Sequence, residues 1–231
     1  SLLALVQPGV GTIPYISMTD NPRFEYRGMH VDLARNFQSA ATLMRLIDQM
    51  SAYKLNRLHL HLSDDEGWRL EIPDLPELTA VGGRRAFQLD NDGNVTEASG
   101  LMPQLGSGPN SATPGTGHLT RAEFIDLLRY ADARYVMIIP AFDMPAHGDS
   151  DGKRTDGLDM AKAVGAVAET VGPLHGIVSH SAGAFASAMA IAGGHLLGRP
   201  AVSAKRLVMV ATVDNPLVHV TGFASVLNLS D

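Results

Sequence analysis

The chain has 231 residues, with 18 Lys and Arg against 24 Asp and Glu, a formal charge of −6 and no cysteine. At 45% hydrophobic and 18% charged residues it can bury a sizeable core, which excludes generic disorder. The acidic balance and the lack of a Lys/Arg-rich run argue against a nucleic-acid partner or a polybasic membrane contact. Without cysteine there are no disulfides, thiolate metal sites or cysteine nucleophile. The length predicts one large domain or two small ones. The apolar start Ser1–Val6 has no basic flank and is too short for a signal core or a membrane span.

In chain order, residues 1–23 read as an entry strand and a connector broken by Pro8, Gly9, Gly11, Pro14 and Asn21-Pro22. Gly28–Leu33 predicts a strand. Ser39–Tyr53, with Leu43, Met44, Leu46, Ile47 and Met50 at helical spacing, predicts a helix. Arg57–Ser63 (RLHLHLS) alternates with period two, as a strand does. Arg85–His118 is rich in Gly, Asn, Ser and Pro and has no period, so it reads as a functional excursion, an insertion or disorder. Thr120-Arg121-Ala122-Glu123 is a capping box opening a helix to about Arg134, and Tyr135–Phe142 is a buried strand.

The last third predicts a helix over Leu158–Val171 stopped by Gly172-Pro173, a strand over Leu174–His180 and a small-residue helix over Ala182–Ala192. A strand over Arg206–Val213 and an amphipathic segment over Pro216–Leu229 follow. The fold class is α/β: about five mostly parallel strands with helices on both faces, doubly wound or an open partial barrel. There is no internal repeat.

The runs RFEYRGMHVDLARNF (Arg23–Phe37), LIDQMSAYKLNRLHLHLSDDEGWRLEIPDLPELTAVGGRR (Leu46–Arg85), LMPQLGSGPN and LTRAEFIDLLRYADAR resemble the catalytic barrel of glycoside hydrolase family 20. These are the β-N-acetylhexosaminidases, bacterial chitobiases among them, and the likeness covers roughly residues 12–147. The resemblance implies release of terminal N-acetylglucosamine by a substrate-assisted route, in which the acetamido oxygen attacks the anomeric carbon. It makes Arg27 a clamp for sugar hydroxyls and Asp64, Asp65 and His147 supporting polar residues at strand C-terminal ends. The alternative for the charged ones is a salt-bridged strand end. Trp68, the single tryptophan, is a candidate sugar platform, the alternative being packing at the barrel mouth. The family's catalytic Asp-Glu pair follows the DMPxH motif, but the one Asp-Glu dipeptide here is Asp65-Glu66 in the earlier motif. The implied protein therefore binds an N-acetylglucosaminide and cleaves it poorly or not at all.

From about Val136, IIPAFDMPAHGDSDG, LHGIVSHSAGA and RLVMVAT resemble the middle of an α/β-hydrolase of the serine esterase type. Ser179-His180-Ser181-Ala182-Gly183 fits the nucleophile elbow G-x-S-x-G with Ser at the first position. That resemblance implies Ser181 as nucleophile, the Ala182 N–H as an oxyanion donor, and Asp214 and His219 as acid and base, with a small ester as substrate. His219 follows Asp214 by only five residues, against the usual layout. The reading is a composite domain, 1–135 barrel-derived and 136–231 α/β-hydrolase-derived, joined near Arg134–Pro140: a chimera, either an incomplete hydrolase or a non-enzymatic fusion of folds. Open sheet edges are expected to invite self-association. His59 and His61 form H-x-H, but no downstream cluster completes a metal site, and Gly82-Gly83 lacks a phosphate-loop frame. No metal and no cofactor are expected. By analogy with chitobiases the protein is periplasmic or secreted.

Overall fold

The computed structural model describes residues 15, 17, 19–64, 66–96, 107–109, 113–143, 157–192, 197–198 and 200–210. The expected segment Pro216–Leu229 and most of the expected entry strand lie outside them.

Strand β1 (Gly28–Asp32) leads through helix α1 (Ala40–Ala52) to β2 (Arg57–His61). The Ser39 hydroxyl accepts from the Thr42 N–H to cap α1, whose buried residues Leu43, Ile47 and Met50 recur at helical spacing. After a hairpin of β3 (Ser63–Asp64) and β4 (Gly67–Trp68) and the short helix α2 (Glu77–Ala80), helix α3 (Arg121–Asp132) returns the chain to β5 (Met137–Ala141). The predicted capping box forms: the Thr120 hydroxyl accepts from the Glu123 N–H, and the Glu123 carboxylate accepts from the Thr120 N–H. Thr120→Ala is expected to cost about 1 kcal/mol, read as a lower urea midpoint at unchanged slope.

Strands β1, β2 and β5 form one parallel sheet in that order, with His30 beside His59 beside Ile139, and Asp32 beside His61 beside Ala141. Leu58 and Leu60 point the other way and are fully buried with Leu43, Ile47, Phe124 and Leu127 of α1 and α3. Asp48 clasps these helices, accepting from the Tyr130 hydroxyl at 2.9 Å and from the Arg134 guanidinium, which also lies 3.4 Å over the Tyr130 ring. The expectation of helices on both faces is corrected here. Among the described residues, α1 and α3 cover only the Leu58/Leu60 face, because alternate positions of β2 carry histidines and a strand buried on both faces needs a nearly continuous apolar run.

Helix α4 (Gly157–Val171) leads to β6 (Ile177–His180), α5 (Ala182–Ala192) and β7 (Leu207–Val210). Strands β6 and β7 pair in parallel from Ile177↔Leu207 to His180↔Val210 over a small cluster of Ala161, Ala190, Leu197 and Val202. The five parallel strands thus divide into three and two instead of one sheet among the described residues. No described helix is long and apolar enough to cross a membrane.

The unpatterned stretch after Gly83 starts inside the core, since Arg85 is fully buried. A bridge between Ala86 and Gly108 closes the neck of the excursion, and a turn at Asp90–Asn94 joins Leu89 to Val95.

Candidate functional site

The C-terminal ends of β1, β2 and β5 gather the charged groups. Asp32 ends β1, and Arg35, three residues on, donates to it at 2.8 Å. The same guanidinium also pairs with Asp64 of β3, and its Nε lies 3.3 Å from Glu66. His61 Nε2 lies 2.7 Å from Asp64 Oδ2. From β5, the Asp143 N–H donates to the Ser63 hydroxyl at 2.7 Å, which draws Asp143 toward Asp64. One ligand atom each of His61, Asp64 and Asp143 lies within 4.8 Å of the others. Burial works against the Asp32 carboxylate, but the Arg35 hydrogen bonds outweigh it and hold its pKa below the usual value. The carboxylates raise the Arg35 pKa.

Two more guanidiniums lie beneath. Arg69, fully buried, donates to the carbonyls of Leu33, Ala34, Gly83 and Gly117 at 2.8–3.2 Å. Burial, then the neighbouring Arg85, pushes its pKa down to about 10, so it stays charged at neutral pH. Glycine at 67 leaves it room: a Cβ there would sit 2.6 Å from its Nη2. Arg85 is equally buried, yet among the described residues none of its guanidinium nitrogens has a hydrogen-bond partner, and Glu66 Oε2 has only its ion pair with Arg35 Nε.

Along the sheet face, the His30 ring meets His59 edge-on at 4.8 Å and lies 6.1 Å from His61. Burial, then the charges of His30 and His61, lowers the His59 pKa. For a histidine held neutral by the fold, the native-state contribution is fully present above the unfolded value of about 6.5 and is lost as pH falls toward the folded value. Stability is therefore expected to fall between about pH 7.5 and 5.5, and His59→Asn to flatten that slope in urea titrations at the two pH values.

Of the residues expected to contact sugar, Asp64 lies in this cluster, and Asp65 and His147 lie outside the described residues. Arg27 precedes β1 at the opposite end of the strand, roughly 16 Å from Asp32 by strand geometry. Its guanidinium donates to the carbonyls of Phe24, Glu25 and Lys54. Trp68 packs on the core with its ring 5.4 Å from that of Phe142, and its N–H donates to the Leu70 carbonyl. Sequence reasoning noted His61 only as part of H-x-H and missed Asp32, Arg35, Glu66 and Asp143 as members of this cluster. The i,i+3 pairs Asp32/Arg35 and His61/Asp64, each just past or at a strand end, were the available signal.

In the C-terminal part, Ser181 sits between β6 and α5 with φ +52°, a left-handed conformation uncommon for a residue with a side chain. Its N–H donates to the Val210 carbonyl, and Ala182 begins α5. Asp214 and His219 lie outside the described residues.

Parallel βα units with polar groups at the strand C-terminal ends are the layout of barrel-type enzymes. The glycosyl hydrolase family 20 catalytic domain matches residues 24–174, and the chain belongs to that family. The match runs past the expected join near Arg134–Pro140 and includes α4. The chain is 53% identical over 136 residues to N,N′-diacetylchitobiase of Vibrio harveyi, covering 59% of this chain and 15% of that protein. It is 49% identical over 147 residues to a β-hexosaminidase of Vibrio vulnificus, covering 64% and 17%. Among solved structures, it matches the Vibrio harveyi family 20 exo-β-N-acetylglucosaminidase in complex with N-acetylglucosamine with a TM-score of 0.53 at 30% identity, over 69% of this chain and 27% of that one. The chain thus spans under a fifth of the curated relatives' length.

Proposed function

We propose that the chain binds terminal N-acetylglucosaminides at the strand ends around Asp32, Asp64 and Asp143, with Asp65, His147 and Trp68 as further contacts; Arg27, at the opposite end of β1 with its guanidinium on the carbonyls of Phe24, Glu25 and Lys54, is not one of them. The supporting observation is the match of the family 20 catalytic domain to residues 24–174, the span that carries these residues. A bound sugar meets carboxylates that Arg35 and His61 hold in place, suited to accept from its hydroxyls and amide. Because the sole Asp-Glu dipeptide is Asp65-Glu66, we propose binding with little or no cleavage. Saturation-transfer NMR with N-acetylglucosamine should show contact that Asp64→Asn weakens, and an aryl N-acetylglucosaminide should not be turned over. Absence of contact would reject the binding, and turnover would reject the missing acid.

A second reading, an α/β-hydrolase-like part from about residue 136 with Ser181 as an esterase nucleophile, is favoured by the left-handed Ser181 between a parallel strand and a helix. Asp214, His219 and the Ala182 N–H would complete it, acting on a small ester. A fluorophosphonate probe should then label Ser181, located by peptide mass spectrometry. Ser181→Gly, which suits the positive φ, should remove the label without unfolding the protein. A folded chain that stays unlabelled would reject this reading and leave a non-enzymatic composite. The exposed Val178, Val208 and Val210 of β6 and β7 support self-association through open strands, which light scattering checks.

A further inference from the structure

In the sequence, H-x-H on β2 has no downstream cluster that completes a metal site. The fold supplies the partner: β5 lies beside β2, and Asp143 comes to Asp64 and His61 from 80 residues further along the chain. We propose that His61, Asp64 and Asp143 form a divalent transition-metal site, open on one side, that takes Zn²⁺.

One imidazole and two carboxylates are a borderline donor set suited to zinc, and their charge of −2 matches the ion. Ligand atoms bound to one tetrahedral zinc lie roughly 3.3 Å apart, given bonds of about 2.0–2.2 Å. The three groups already lie within 4.8 Å of one another, and His61 Nε2 and Asp64 Oδ2, at 2.7 Å, must part by only about 0.6 Å to admit an ion between them. Two features prepare the site. The Ser63 hydroxyl fixes the Asp143 backbone, and the His30 ring lies 6.1 Å from that of His61 on the same face. Among the described residues Arg35 competes for Asp64, but it also holds Asp32 at 2.8 Å and Glu66 at 3.3 Å, so it keeps carboxylate partners when zinc takes Asp64. Asp143 is exposed and gives entry from solvent, leaving the fourth position to water. The proposal does not depend on sugar binding, although an ion here would occupy carboxylates assigned above to the sugar.

Calorimetric titration of the chain with Zn²⁺ alone tests it. One equivalent is expected to bind, and His61→Gln and Asp143→Asn are each expected to weaken binding at least about tenfold, while His175→Gln, at a histidine that is not part of the cluster, leaves it unaltered. Co²⁺ in place of zinc should give the visible absorption of a low-coordinate site, lost in Asp143→Asn, a change at an exposed position that keeps the side chain's shape. Failure of the folded wild type to bind, binding indifferent to both substitutions, or equal loss in the His175 variant would each overturn the proposal.

Discussion

Arg69→Leu is expected to be the most damaging single substitution in the first half of the chain, at about 3–5 kcal/mol, comparable to the whole stability of a modest domain. The guanidinium is fully buried and makes five hydrogen bonds to four carbonyls. Those of Leu33 and Ala34 follow β1, whereas those of Gly83 and Gly117 flank the excursion between β4 and α3. Leucine fills part of the volume and takes the donor from the carbonyls of Leu33, Ala34 and Gly117, each carrying the penalty of a lost hydrogen bond, while the Gly83 carbonyl keeps the N–H of Gly117. Urea denaturation followed by far-UV circular dichroism should show the midpoint collapse. A loss under about 1 kcal/mol would mean that the carbonyls find other donors.

Arg85→Met is expected to have the opposite sign. This side chain is just as buried, but its three nitrogens have no hydrogen-bond partner among the described residues, and Arg69 and Arg35 oppose its charge. Burial lowers its pKa, and the carboxylates of Glu66 and Asp32 offset this only in part. Replacing it with an unbranched apolar chain removes an unsatisfied charge from a dry position, and a gain of about 1–3 kcal/mol is expected in the same assay. A loss would show that the charge of Glu66 is worth more to Arg85 than its desolvation costs. Two arginines of equal burial thus separate on one variable, whether the donors are used.

Local signals carried the first part of the fold. The alternation of RLHLHLS gave β2 and its two faces, and Thr120 with Glu123 gave the start of α3, because both depend on neighbours a few residues apart. The division of the parallel strands into two sheets was not legible, since period two marks a strand without naming its partner. Nothing local marks Arg69 and Arg85 as buried, since charged side chains usually lie at the surface. The motif around Asp64 pointed to the strand-end site, but its assembly depends on register between β2 and β5, and so brings in Asp143 across a long separation.

The closed neck at Ala86 and Gly108 bears on how this chain can grow. Both stems of the excursion are fixed on the core side, by buried Arg85 on one and by Leu119 and the capped start of α3 on the other. The closure entropy of a loop held at such a neck rises only with the logarithm of its length, about 0.6 kcal/mol for each doubling. The sheet and its two helices are therefore insulated from whatever is spliced between residues 87 and 107. An insertion there is expected to leave the strand ends with their geometry.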